Sequence, residues 1–193
     1  MSELLRRTFQ SLAFVLLAAP AVTVAQQEVK PPETFNATAQ VSGQAAGASA
    51  TVVIHLDAYT DERNVRAMQD ALQAGGYPKF LEILRKAPQV GYVEMNARKV
   101  PIKFARQVPT AKGRTVTVVG DGPLFFIGGG DVNAPPRAGF ELTIAQLQVD
   151  SIGLGTGSLA PASRVRPGGE TGVQVDDYGE KPVNLPSVRK TYR

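Results

Sequence analysis

The sequence predicts an α+β domain: an antiparallel sheet of about eight strands, strongly coiled or closed into a barrel- or sandwich-like shape, with one inserted helical hairpin after the second strand. Three observations carry this. Apolar and polar residues alternate with period two through most of the chain, as in Phe35, Ala37, Ala39 and Val41 against Thr34, Asn36, Thr38 and Gln40. Only the stretch from Asp61 to Ala87 shows helical spacing. In "GFELTIAQLQVD" the inward parity slips between Ala145 and Gln146, which predicts a bulge or sharp coil of the kind that closes a sheet.

The elements follow in order. "QQEVKPPE", residues 26–33, is polar with two prolines and reads as a flexible lead into a single domain over 34–193. The strand from Thr34 and the strand "SATVVIHLDAYT", whose Val52, Ile54 and Leu56 share a face, form a hairpin across "GQAAGA". Thr60 is placed to cap a helix, Asp61 and Glu62 suit its first turn, and Val65, Met68 and Leu72 recur along one side. Gly75 and Gly76 stop it; Pro78 opens a second helix with Phe80, Leu81 and Leu84 inward, and Pro88 marks its end.

"QVGYVEMN" and "KVPIKFARQV" pair across an Ala97–Arg98 turn, and Pro101, lacking an N–H, predicts a sheet edge or a bulge. "RTVTVVG", "PLFFIG", "GFELTIAQLQVD" and "SIGLGTGSLAPASRV" read as further strands, the last glycine-rich because it is tightly bent or closely packed. The tail after Arg166 is irregular, with a short strand around Val173 and Val175.

The first residues carry an address. Arg6 and Arg7 precede an uncharged apolar stretch that ends in small residues at Ala25, which predicts a signal peptide over 1–25, cleaved before Gln26. That stretch is shorter than the roughly 20 residues of a membrane span and contains Pro20, so no transmembrane anchor is expected after cleavage. "RRTF" resembles the twin-arginine export motif, which leaves two export routes open. Both end outside the cytoplasm, in the periplasm or beyond.

The chain has no cysteine, so disulfides, thiolate metal sites and cysteine nucleophiles are excluded and the core alone must hold the fold. A formal net charge of +4 is spread among interleaved bases and acids without a basic stripe, so nucleic acid is excluded as a partner. Tryptophan is absent, which removes the usual stacking platform for sugars.

Several motifs invite chemistry. Gly128–Gly130 lead into "DVNAPPRAG", where Pro135 and Pro136 forbid the helix that a phosphate loop needs, so a wide turn is expected. "GLGTGS" misses the dinucleotide spacing, since Ser158 stands where the third glycine belongs. His55 is the single histidine, on the strand face opposite Ile54 and Leu56 and on the same side as Asp57. These two are the catalytic candidates, able to serve a hydrolase if folding brings a serine such as Ser49 or Ser151 close. Asp176 and Asp177 point to opposite faces of a strand and read as surface charge; "NAT" at Asn36 fits a glycosylation acceptor but lies within a strand. Tyr59, Tyr77, Phe80 and Tyr92 are the ligand-binding candidates, expected to gather where the helical hairpin meets the sheet and to line a small apolar site. No metal site and no cofactor are expected.

"RVRPGGETGVQVDDY", with "AGFELTIAQLQVD" upstream, resembles a group of secreted bacterial proteins without an assigned function. The resemblance implies a single extracytoplasmic domain and no particular chemistry. The function expected is an exported, non-catalytic module that binds a small molecule, apolar in character, or another cell-envelope component. The alternatives are a hydrolase using His55 and Asp57, and an assembly protein pairing through the sheet edge at Pro101.

Overall fold

The computed structural model describes residues 30–40, 49–124, 138–177 and 182–191. The leader 1–25, the turn "GQAAGA" and the triplet Gly128–Gly130 lie outside the described residues. The element order is β1 (Glu33–Gln40), β2 (Ser49–Leu56), α1 (Glu62–Lys86), β3 (Gly91–Met95), β4 (Arg98–Thr110), β5 (Gly113–Asp121), β6 (Leu142–Val149), β7 (Leu154–Pro167), β8 (Val173–Asp177) and β9 (Val183–Thr191).

Eight of the strands close an antiparallel barrel, running from β1 to β7 and returning through β9 to β1. β8 stands outside the ring, hydrogen-bonded to the far half of β7 as a hairpin. Closure leaves Pro101 within the ring rather than at an edge; the extra residue that its strand needs is the bulge between Ile102 and Phe104. The β3–β4 turn is Asn96–Ala97, one residue earlier than expected. Both residues have positive φ (51° and 62°), the conformation that matches the twist of a two-residue hairpin.

The interior follows from period two. Phe35, Ala37 and Ala39 of β1 face Val52, Ile54 and Leu56 of β2, and Val93, Val116, Val118, Leu147, Leu159 and Leu185 complete one buried cluster. Outward positions such as Asn36, Thr38, Thr51 and Lys99 are exposed. This is the reverse of a barrel whose outer wall meets lipid. No described helix is long and apolar enough to cross a membrane.

A second core lies between α1 and the outer wall. Val65, Met68, Leu72, Phe80 and Leu84 of the helix pack on Phe104, Val119, Leu142, Ile144, Val165 and Val173. This layer explains the parity slip in β6 without a bulge there. Leu142 and Ile144 face the helix, Ala145, Leu147 and Val149 face the barrel, and the β5–β6 register runs unbroken. A strand buried on both faces has lost the alternation that reveals its orientation.

A single helical element stands where a helical hairpin was expected. Only Gly76, at φ 64° and ψ −163°, leaves helical geometry, and Pro78 falls in the first turn after the break, where its missing N–H breaks no bond. No loop separates two helices. The N-cap is Asp61, whose carboxylate accepts the Asn64 N–H at 2.9 Å. Thr60 instead fixes the approach to the barrel: its hydroxyl accepts the Ala105 N–H at 2.9 Å and its own N–H reaches the Ala105 carbonyl at 2.9 Å. At the other end the Lys103 ammonium, projecting from the β4 bulge, donates to the Ala87 carbonyl at 2.9 Å.

The tail is more ordered than its sequence predicts. β9 closes the ring between β1 and β7, and its pairing with each shifts register around Pro186. The glycines of β7 answer to close packing: a β-carbon on Gly155 would overlap the Gln148 carbonyl of β6. Gly155→Ala is therefore expected to destabilise the protein by about 1–3 kcal/mol through forced strand displacement. A urea midpoint equal to that of wild type would refute this.

Candidate functional site

Three polar constellations stand out, and each is placed by a different part of the barrel. The first is a groove on the outer wall. β5, β6 and β7 present their outward residues in register: Thr115 lies beside Gln148 and Gln148 beside Thr156, while Thr117 lies beside Gln146. These hydroxyls and amides form rows across neighbouring strands about 4.8 Å apart. The β7–β8 turn overhangs them. Its Thr171 carbonyl is pinned by Gln69 Nε2 of α1 at 3.1 Å and by Arg106 Nη1 of β4 at 3.3 Å. The groove is open to solvent and has a volume of about 720 Å³.

At the floor of this groove is Thr117, 1% exposed, and its hydroxyl has no hydrogen-bond partner among the described residues. A buried hydroxyl without a partner costs about 1–3 kcal/mol. Ser163 is the other such hydroxyl, but it pairs across from Leu142 in the layer beneath the helix, away from the groove.

The second constellation fills one end of the barrel. Arg114 of β5 grips Glu33 of β1 with two nitrogens, Nη2 to Oε1 at 2.7 Å and Nη1 to Oε2 at 2.9 Å. Lys190 of β9 adds an ion pair to Oε1 at 2.7 Å, and the Tyr59 hydroxyl donates to Oε2 while accepting from Arg114. Gln107 Oε1 accepts from Arg114 at 2.7 Å, and the guanidinium lies 5.6 Å from the centre of the Phe35 ring. Burial opposes the Glu33 charge, yet the hydrogen bonds from Arg114, Lys190 and Tyr59 outweigh it and hold the carboxyl below its ordinary range. Burial and the bond to Glu33 push the Tyr59 phenol upward. Every charge here is engaged, so the cluster acts as a polar plug for the barrel.

The third constellation is on the outer face around His55. Asp57 Oδ1 lies 3.1 Å from Nε2 and Thr34 Oγ1 lies 2.8 Å from Nδ1. A carboxylate only accepts, so in the neutral ring Nε2 donates to Asp57 and Nδ1 accepts from Thr34. The ring packs on Tyr92 at 5.1 Å, with the Lys99 ammonium 4.5 Å from the Tyr92 centroid. The expected His55–Asp57 contact thus forms, but the hydroxyl beside it is that of a threonine. Among the described residues no serine bonds His55; Ser49 begins β2 at the strand's other end, and Ser151 lies in the β6–β7 turn.

The aromatic candidates are dispersed. Tyr77 and Phe80 do meet at the helix–barrel layer, where the Tyr77 hydroxyl donates to Glu141 at 2.6 Å. Tyr59 is at the barrel mouth and Tyr92 is outside on β3. The layer under the helix is occupied by the protein's own apolar side chains. Asp176 pairs with Arg164 at 2.6 Å across the β7–β8 hairpin. No group of three His, Asp or Glu residues suited to a metal occurs among the described residues.

The groove residues were visible only as the polar half of strand alternation, in "RTVTVVG" and "AQLQVD". Nothing in those stretches indicates that they meet. No protein-family model, curated protein or solved structure matches this chain.

Proposed function

We propose that this protein is an exported, non-catalytic module that binds a small molecule in the groove on its outer wall. The observation that carries the reading is the buried, partnerless Thr117 hydroxyl at the floor of a space of about 720 Å³. That volume falls within the range of small-molecule sites, and a buried polar group lacking a protein partner is a place where a ligand gains a hydrogen bond that water-exposed groups do not offer. Export rests on the Arg6–Arg7 leader and the small residues before Gln26.

Native mass spectrometry of the protein purified gently from its own host tests both parts. The expected result is a chain beginning at Gln26 with additional mass that is lost on denaturation. A bare mass, together with groove amide signals that remain unmoved by any host extract, would overturn the binding reading, and an intact Met1 terminus would overturn export.

A hydrolase is the second reading, favoured by the hydrogen-bonded series Thr34, His55 and Asp57. Its nucleophile would be the Thr34 hydroxyl, activated by Nδ1, and acyl-enzyme capture with an activated ester would label that residue. Labelling absent in wild type, or unchanged in His55→Ala, removes this reading.

A further inference from the structure

We infer that the groove's ligand is an uncharged polyhydroxylated molecule, a neutral saccharide, gripped edge-on by hydroxyl and amide rows rather than stacked on a ring; this rests on the groove being the ligand site. The chemistry of the lining supports it from three directions.

The central residues are Thr115, Thr117, Gln146, Gln148 and Thr156. Each of these side chains both donates and accepts hydrogen bonds. A sugar hydroxyl has the same dual character, so a row of them meets a row of partners whatever the rotor setting. A wholly apolar ligand would leave the Thr117 hydroxyl as it is, buried and without a partner.

A charged ligand is poorly served. The Arg114 guanidinium is turned inward onto Glu33. Asp150 is engaged by the Ile152 and Leu154 N–H groups at 3.0 and 2.9 Å, and Glu170 sits 3.4 Å from the Thr115 hydroxyl that donates to it. Lys112 lines the groove as well, so no single sign of charge dominates.

The floor does not take an extended peptide by strand addition. Strand addition needs an open edge, whereas β6 is paired on both sides, with β5 and with β7, and offers only side chains. The apolar contact that a sugar's C–H face requires comes from Leu154, which borders the groove and is 41% exposed.

The test is ¹⁵N chemical-shift titration of the exported protein with cellobiose, maltotriose and diacetylchitobiose, alongside galacturonate and tetra-alanine. The expected result is saturable shifts of the Gln146 and Gln148 side-chain amides and the Thr117 amide with at least one neutral sugar. Thr117→Val should weaken that binding about tenfold, the worth of one hydrogen bond, while raising Tm because a partnerless buried hydroxyl has been replaced by a methyl. Gln148→Leu, at an exposed position, should weaken binding without moving Tm. Shifts of the same signals by galacturonate or tetra-alanine alone would overturn the neutral-saccharide assignment and leave the groove as a site. Silence from every probe, together with a bare native mass, would overturn both.

Discussion

Replacing Glu33 by glutamine is expected to destabilise the protein by about 3–5 kcal/mol, because it keeps the shape of the side chain and removes the anion that pairs the buried Arg114. Glu33 is 1% exposed, Arg114 is 8% exposed, and Lys190 completes the pair at 2.7 Å. Arg114, left in the barrel mouth without that carboxylate, faces the desolvation cost that the carboxylate now offsets. The same variant has a pH signature. Glu33's carboxyl is held below its ordinary range in the folded state. Its contribution is therefore complete above the unfolded carboxylate range and is lost as pH falls through the lowered folded value. Urea denaturation across acidic pH should show wild-type stability declining in that window and the variant's profile flatter there. Equal stabilities at neutral pH would show that the cluster contributes nothing. Replacing Glu33, Arg114 and Lys190 together by apolar residues of similar volume should recover most of the loss, since no unpaired charge remains.

Phe80→Ala is expected to cost about 3–5 kcal/mol by opening a cavity between helix and barrel. Phe80 is fully buried among Phe104, Leu142 and Val165 and their neighbours, and it belongs to the part of α1 that follows the Gly76 break. The halves on either side of that break are not joined by continuous helix geometry, so the second half depends on this packing to stay docked. Hydrogen exchange should therefore rise most in residues 79–86, with the amides of β1 and β2 affected least. A uniform rise throughout the chain would instead mean that helix and barrel unfold as one unit.

Much of the architecture is legible in the residues themselves. Period two identifies β1, β2, β4 and β5, the inward sides of β1 and β2 are those that Phe35 and Ile54 announce, and His55 lies outward as its parity requires. The helix is placed between Asp61 and Ala87 by its own caps and spacing. These features depend on neighbours a few residues away, which the sequence displays directly.

The closing strand is different. Val183 and Leu185 have one parity and Val188 the other, and Pro186 sits between them, so the alternation that marks a strand breaks where the bulge lies. β6 misleads for the opposite reason: both of its faces are covered, one by the barrel core and one by α1. A pattern rule assumes one wet face, and here tertiary packing removed it.

The sites depend on separation still more. Glu33 and Arg114 are 81 residues apart, and at strand ends each reads as ordinary surface charge. Thr115, Thr117, Gln146, Gln148 and Thr156 read as the polar halves of three unrelated strands. By itself the sequence determined the strand faces, the helix and its break, and a fold without disulfides, because these follow from local sterics and periodicity. Ring closure, the buried ion cluster and the groove were decided by tertiary structure, because each arises from register between strands, and register is a property of the whole packed sheet.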